Sequence, residues 1–307
     1  MVFDQIQKNL LKEVSGLEEI PNGAYSIRAN GKTLAKSSSD TIEIVPKKDK
    51  AGIDVFIKKT DKKQRVDLPV IITESNLKDL VYNDFYVEDG ADVLIVAGCG
   101  IHTVHDGDSS HDGVHVFHIG KNANVTYYEK HYGGGDGNGK RLLNPTTEIY
   151  IEDGGSLTMD TAQIKGVDSS IRKTSAVLGE KATLIIHEKI MTHGSQYTET
   201  DFNVSLNGND CVAHLVSRSV AKDNSVQKFY SVVDGNARCS GRTECDAIVM
   251  DNAKVLALPG LNANDVEASL VHEAAIGKIA GEQLIKLMTL GLTQKEAEEQ
   301  IVNGFLK

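Results

Sequence analysis

Seven short segments of this chain share one pattern: a turn, a small or polar residue, then apolar residues at alternate positions. Six are EDGADVLIV, GKNANVTYY, EDGGSLTMD, GEKATLIIH, VDGNARCSG and MDNAKVLAL, and NGNDCVAHL at 207–215 is a looser seventh. Their first apolar positions are Val93, Val125, Leu157, Leu184, Val212, Cys239 and Val255, at intervals of 32, 32, 27, 28, 27 and 16 residues. A second β-type run precedes most of the turns: VHVFHI, TEIYIE, KTSAVL, FNVSL and KFYSVV. One such unit cannot bury its apolar face alone. Units recurring every ~30 residues without a helix between them therefore stack into a β-solenoid. Short strands with regular turns also describe a β-sandwich, and the recurrence favours the solenoid.

The pattern divides the chain into three stretches. Residues 1–85 hold an amphipathic helix reaching about Glu19, then entry strands TIEIVP, IDVFIKK and LPVIITES. Residues 86–264 form the β-helix core. Residues 265–307 turn helical: Ala280, Leu284, Leu287 and Met288 share a face that Gly291 ends, and Thr293 to Glu296 reads as a capping box before Ala297, Ile301 and Val302. This hairpin either covers the open end of the sheet stack or offers a docking surface.

A net charge of -10 argues against general nucleic-acid binding, which needs clustered cations. Lys47-Lys48, Lys58-Lys59 and the run Lys62 to Arg65 read as a solvated face. No apolar run reaches the ~18 residues of a membrane span, and the first twenty residues lack the basic and apolar regions of a signal peptide. A cytoplasmic protein is expected. Its four cysteines, without a CxxC pair, suit reduced thiols.

Metal-type ligands are densest in GCGIHTVHDGDSSHDGVHVFHIG, residues 98–120, which holds five of the ten histidines. Imidazole beside carboxylate suits zinc, iron, nickel or copper. His102, His105 and His111 are the candidate ligands, and solvated loop histidines the alternative. Periodicity puts His115 and Phe117 on one face, opposite Val114, Val116 and His118. GGGDGNG at 133–139 lacks GK[ST] and reads as a flexible surface loop. His187-Glu188 and His272-Glu273 are not HExxH pairs and read as surface or turn positions. No G-x-S-x-G is present, so serine-hydrolase chemistry is unsupported. Cys211 reads as core packing. Cys99, between two glycines, reads as an accessible thiol made more acidic by neighbouring imidazolium. In GRTECDAIVMD, period two puts Cys245 with Ala247 and Val249, opposite Glu244 and Asp246.

Four stretches together resemble the SufB/SufD family, scaffold proteins of the Suf system for iron–sulfur cluster assembly. They are DGADVLIVAGCGIHT, HVFHIGKNANVTYYEKHYGGGDGNG, TECDAIVMD and VHEAAIGKIAGEQLIKLMTLGLTQKEAEEQIVNGFLK, spanning roughly residues 85–307. The resemblance implies a right-handed parallel β-helix with a C-terminal helical region and no enzymatic activity of its own. It also implies a SufC-like ABC ATPase partner docked on the C-terminal helices, a sulfur donor, and a transient iron–sulfur cluster. By position it makes Cys245 and Glu273 cluster-binding and Cys99 sulfur-accepting, while His272 resembles the histidine that SufD contributes near the subunit interface. The chain is shorter than typical SufB. It carries SufB-like Cys and Glu beside a SufD-like His, so one chain type would serve both roles as a homodimer. Two alternatives stand beside this reading. One is a metal-dependent β-helix enzyme using residues 102–118, although a lyase cleft wants aromatics and this chain has no Trp and 5% aromatics. The other is an ATPase adaptor whose cysteines only pack.

Overall fold

Alternation of apolar and polar residues gives each strand one face to bury, and the chain solves this by coiling. The structure, a computed structural model, describes residues 3–307. It is a β-solenoid of about 8 turns with 57% of residues in strands and three helices. Two ten-stranded sheets face each other, and from Gln64 onward strands alternate between them, except that Arg141–Leu143 and Thr146–Ile151 follow one another in the same sheet. All pairs along the coil are parallel; antiparallel pairing is confined to the strands of residues 24–37 and 42–57 at the N-terminal end. These entry strands belong to the same two sheets as the rest. Alternate side chains from both sheets fill one continuous apolar core, from Ala24 and Ile42 at one end to Cys239 and Cys245 at the other.

The repeat is real, but its register differs from the spacing of first apolar residues. The stacked inward positions are Gln64, Val93, Val125, Leu157, Leu184, Ala213, Gly241 and Leu270, at spacings of 29, 32, 32, 27, 29, 28 and 29. Val212 and Cys239 fall one and two residues before their true equivalents. Val255 lies in the other sheet, beside Gln227. The cause is a small residue that closes each turn, its N–H donating to the carbonyl three residues earlier: Ala91, Ala123, Gly155, Ala182 and Cys211, all buried, and the half-buried Ala268. Cys211 takes a slot that alanine or glycine fills elsewhere, which makes the apolar run start early.

The 32-residue coils carry an extra turn apiece, and the two turns stack. Gly137 donates its N–H to the Thr103 carbonyl at 3.0 Å, and Asn138 donates to Asp106 at 3.0 Å. A Cβ at Gly135 would sit 2.0 Å from the Thr103 carbonyl oxygen. The glycine-rich run is therefore a close-packed layer rather than a loose surface loop.

Helix α1 spans Gln5–Ser15, with a capping box between Asp4 and Gln7. It stops short of Glu19 because Gly16 turns left-handed at φ 71° and closes the C-cap on Lys12. Leu10, Leu11 and Val14 bury against the outer face of the first sheet. A Cβ on Gly98 would lie 2.2 Å from the Val14 carbonyl oxygen, so the glycines flanking Cys99 admit the helix and do not expose the thiol. Gly98→Val is expected to cost about 1–3 kcal/mol by overpacking. Hydrogen exchange should then show lost protection confined to α1 and its contacts.

Helices α2 (Gly281–Thr289) and α3 (Gln294–Phe305) form the C-terminal hairpin, and Thr293 and Glu296 make the expected capping box. Val302 and Leu306 of this region pack on Val220, with Met191, Ile248 and Met250 alongside. The hairpin thus covers a flank of the solenoid and leaves its end open. There the terminal strands Lys254–Ala263 and Ser269–Gly277 each have a neighbour in their sheet on one side only. Leu256, Leu258, Val271 and Ile276 are exposed on them.

Candidate functional site

The inward parity that buries Val125 and Tyr127 also buries Glu129 and His131 in the same strand. Likewise Leu184 and Ile186 commit Glu188 to the interior. Parallel, in-register pairing then stacks these positions. One inward column of the first sheet reads Ala97, Glu129, Thr161, Glu188, Ser217, Cys245 and Ala274. The adjacent column holds Cys99, His131 and Gln163. The facing sheet adds Asp79, His111, His115, Arg172 and Thr200, all buried.

These side chains form one polar track. Arg28 donates from Nη2 to Asp79 at 2.6 Å, and the other Asp79 oxygen lies 3.1 Å from His111 Nδ1. Cys99 stands in register with His131 on the neighbouring strand, and His111 and His131 are the groups that act most strongly on its thiol. His131 Nε2 is 3.5 Å from Glu129, which accepts from Arg172 at 2.7 Å and from the Tyr127 hydroxyl at 3.0 Å. Arg172 also reaches Glu188 at 3.2 Å. Glu188 accepts from Thr200 at 3.0 Å and from Ser217 at 2.8 Å, and Ser217 stacks directly on Cys245. Five strand spacings separate the two thiols, roughly 24 Å at the usual inter-strand distance. The hydroxyls of Thr161 and Ser170 are buried with no protein partner, which leaves polar groups facing the track.

The two ends of the track differ in charge. Burial pushes the Cys99 thiol up, but His111 and then His131 outweigh it and bring the group down to about 7. His111 moves up to about 10 against its own burial, held by Cys99 and Asp79. Burial lowers His115 to about 4, so it stays neutral beside the Tyr127 hydroxyl. Burial also works against the Glu129 carboxylate, yet His131 and Arg172 hold it ionised. At the far end burial, with Glu188 and Asp246 next, pushes Cys245 up to about 12. One thiol is primed as a thiolate and the other is kept protonated.

The expected site residues meet this geometry unevenly. Cys99 is 5% exposed, buried rather than accessible. Of the three candidate metal histidines, His111 points inward, His102 is half-buried at a strand end, and His105 is exposed in the turn. They do not converge, because the strand of His102 and the strand of His111 belong to opposite sheets. Among the described residues no group of three or more His, Cys, Asp or Glu is arranged to hold a metal ion. His118 leaves the interior altogether, stacked between Tyr86 and Tyr150 on the outer face. Cys245 and His272 share the inward face, two residues apart in register, with His272 hydrogen-bonded to Thr243. Glu273 is on the outer face, where Arg242 donates to it at 2.8 Å. Of the pair read as surface, His187 does face out toward Asp160, while Glu188 is 2% exposed. Asp79, Glu129, His131 and Arg172 were not singled out from sequence, and Glu188 only as a surface or turn position. Strand parity extended through NVTYYEKHY and TLIIHEKIM would have found Glu129, His131 and Glu188.

The family model of the SufBD core domain, from the SUF system of iron–sulfur cluster assembly, matches residues 82–305. This chain belongs to the SufBD family. Membership supports a role in iron–sulfur cluster assembly. Among SufBD relatives it is similar to an iron–sulfur cluster assembly SufBD family protein of Methanocaldococcus jannaschii, 30% identical over 76% of this chain and 74% of the relative. A SufBD protein of Archaeoglobus fulgidus is 27% identical over 79% of this chain and 65% of its own length. One from Methanothermobacter thermautotrophicus is 28% identical over 77% of this chain. The chain spans 57% of that last relative. Most of the polar track, including Cys99 and Cys245, lies inside the SufBD core match. No helix among the described residues is long and apolar enough to cross a membrane.

Proposed function

We propose that this SufBD protein is a non-enzymatic scaffold. Sulfur taken up at Cys99 travels inside the solenoid and meets iron at its open end, near Cys245 and His272. The observation that carries this reading is the run of buried polar side chains that links the two thiols. Sulfur held on Cys99 as a persulfide is at the sulfane level, so its release as hydrosulfide takes two electrons from an external thiol reductant. At the far end, the protonated Cys245 gives up its proton only when a metal replaces it. Cysteine ligands dominate iron–sulfur sites and histidine can substitute, so Cys245 with His272 is a partial ligand set.

The set is completed, on this reading, across two copies. The terminal strands carry unpaired backbone groups and exposed leucines, which suits edge-to-edge pairing as a homodimer. Glu273 stands at that edge, one residue from His272, and exchanges its Arg242 partner for the cluster of the dimer. Ile285 and Met288 on α2, with Leu290 at its C-cap, leave an apolar face for a SufC-like ABC ATPase, whose cycle supplies the conformational work. The iron–sulfur cluster is cargo, built and passed on in the cytoplasm, and a separate sulfur donor loads Cys99. A protein that stayed monomeric at all concentrations, with and without the ATPase, would refute the homodimer.

Anaerobic reconstitution with iron(II) and sulfide tests the scaffold. The wild type should develop a visible chromophore that Cys245→Ala lacks. Identical spectra would favour a plain ATPase adaptor whose cysteines only pack.

A further inference from the structure

Cys99 sits in more than a polar neighbourhood. The Asp79 carboxylate is clamped by Arg28 through two nitrogens, Nη2 at 2.6 Å and Nε at 3.0 Å. Its Oδ2 lies 3.1 Å from His111 Nδ1. With Nδ1 committed to Asp79, Nε2 is the nitrogen left for the Cys99 thiol. Asp79 and His111 are both buried and sit side by side in register on adjacent strands. His111 is the imidazole that acts most strongly on the buried Cys99 thiol, so a nucleophile, a base and a carboxylate that fixes the base's tautomer are grouped here, a set that activates thiols on unrelated folds.

We propose that His111, oriented by Asp79 and its Arg28 clamp, is the proton acceptor that makes Cys99 a nucleophile toward a perthiol. The proposal rests on the reading of Cys99 as the sulfur-accepting residue. His111 takes the thiol proton. The thiolate attacks the outer sulfur of R–S–SH, forming the Cys99 S–S bond as the donor's S–S bond breaks. The products are Cys99–S–SH and R–S⁻, and the proton on His111 passes to R–S⁻ to give R–SH. Sulfane sulfur changes carrier, and no net oxidation or reduction occurs.

The charged and titratable groups around this pair come from five strands besides that of Cys99. Asp79 comes from the strand Lys78–Val87, and His115 lies beside His111 on its own strand. Tyr127, Glu129 and His131 come from Asn124–Gly134, Arg172 from Ser169–Leu178, and Arg28 from Ala24–Ala29. His131 is the second imidazole at the thiol, but Arg172 presses on it at 3.3 Å and its carboxylate contact is the longer 3.5 Å. It suits holding the thiolate better than carrying the proton away.

Thiolate absorbance near 240 nm reads the relay without requiring reagent access, as the titration difference between each protein and the same protein carrying Cys99→Ser. His111→Gln should raise the midpoint by at least one pH unit, a tenfold loss of thiolate on the flank of the titration. Asp79→Asn, which keeps the imidazole, should move it the same way by less. Far-ultraviolet circular dichroism checks folding, and if His111→Gln fails to fold, Asp79→Asn decides. An unchanged midpoint in a folded variant overturns the relay. In parallel, cysteine persulfide should add the mass of one sulfur atom to the Cys99 peptide, several-fold more slowly in His111→Gln. A shifted midpoint with no sulfur ever added to wild-type Cys99 would leave the thiolate relay standing. It would overturn both the transfer step and the sulfur-accepting reading it rests on.

Discussion

Arg172→Leu should lose about 3–5 kcal/mol of unfolding free energy, the usual cost of breaking a buried ion pair from one side. Arg172 is 5% exposed and is the only arginine or lysine paired with Glu129 and Glu188 among the described residues. Without it, two buried carboxylates face each other along one column with histidine and hydroxyl partners only. The urea midpoint reads the loss directly. The deficit should also depend on pH. Burial opposes the Glu129 carboxylate, but His131 and Arg172 depress its folded value well below the ordinary 4.5. Its contribution is therefore present above the unfolded value and is lost as pH falls. Wild type and variant should accordingly converge in acid and differ most near neutrality. Replacing Arg172, Glu129 and Glu188 together by leucine or methionine should recover most of the loss, since apolar side chains of similar volume often match a buried ion cluster. A recovered triple variant would mean the cluster is kept for function more than for stability.

Ser217→Leu should nearly abolish cluster formation from sulfur delivered through Cys99. Ser217 stands between Glu188 and Cys245 in the inward column and donates to Glu188 at 2.8 Å. Leucine removes that hydroxyl and puts a bulkier apolar side chain into the polar column, at a folding cost of about 1–3 kcal/mol. The fold should survive, with the Cys99 thiolate titration unchanged because that end of the track is untouched. Chromophore yield with cysteine persulfide as the only sulfur source should fall to background. Inorganic sulfide, which reaches the open end from solution, should restore it. Equal yields from both sources in Ser217→Leu would mean that sulfur does not pass this point.

The solenoid was legible because its cause is local: turn, small residue, alternating apolar strand, repeated. Register was less so, because Cys211 occupies the turn-closing slot, Cys239 takes the position stacked on it, and both mimic the start of an apolar run. The sequence singles out the two candidate thiols, Cys245 by family pattern and Cys99 by its neighbours. Their settings were not legible. Gly98 and Gly100 suggested an exposed Cys99 because nothing in the sequence says that α1 lies over them. His111 looked like a partner of His102 and His105, close in sequence. The crossover to the opposite sheet instead gives it to Asp79, 32 residues away. Arg172 and Glu129, 43 residues apart, meet only because coils stack. Contacts at one-coil and longer separations cannot be read until the register is known. Glu273 shows the same limit at the shortest range: one residue from His272, it faces the other side of the sheet.

Isotope dilution tests the interior passage most directly. Wild-type protein is loaded with labelled sulfur on Cys99. Iron(II), dithiol and a large excess of unlabelled sulfide are then added anaerobically. If sulfur moves inside the solenoid, the first cluster formed should be enriched in label well above the bulk ratio, and Ser217→Leu should lose that enrichment. A wild-type cluster carrying label only at the bulk ratio would mean that Cys99 releases its sulfur to solvent, which contradicts the account.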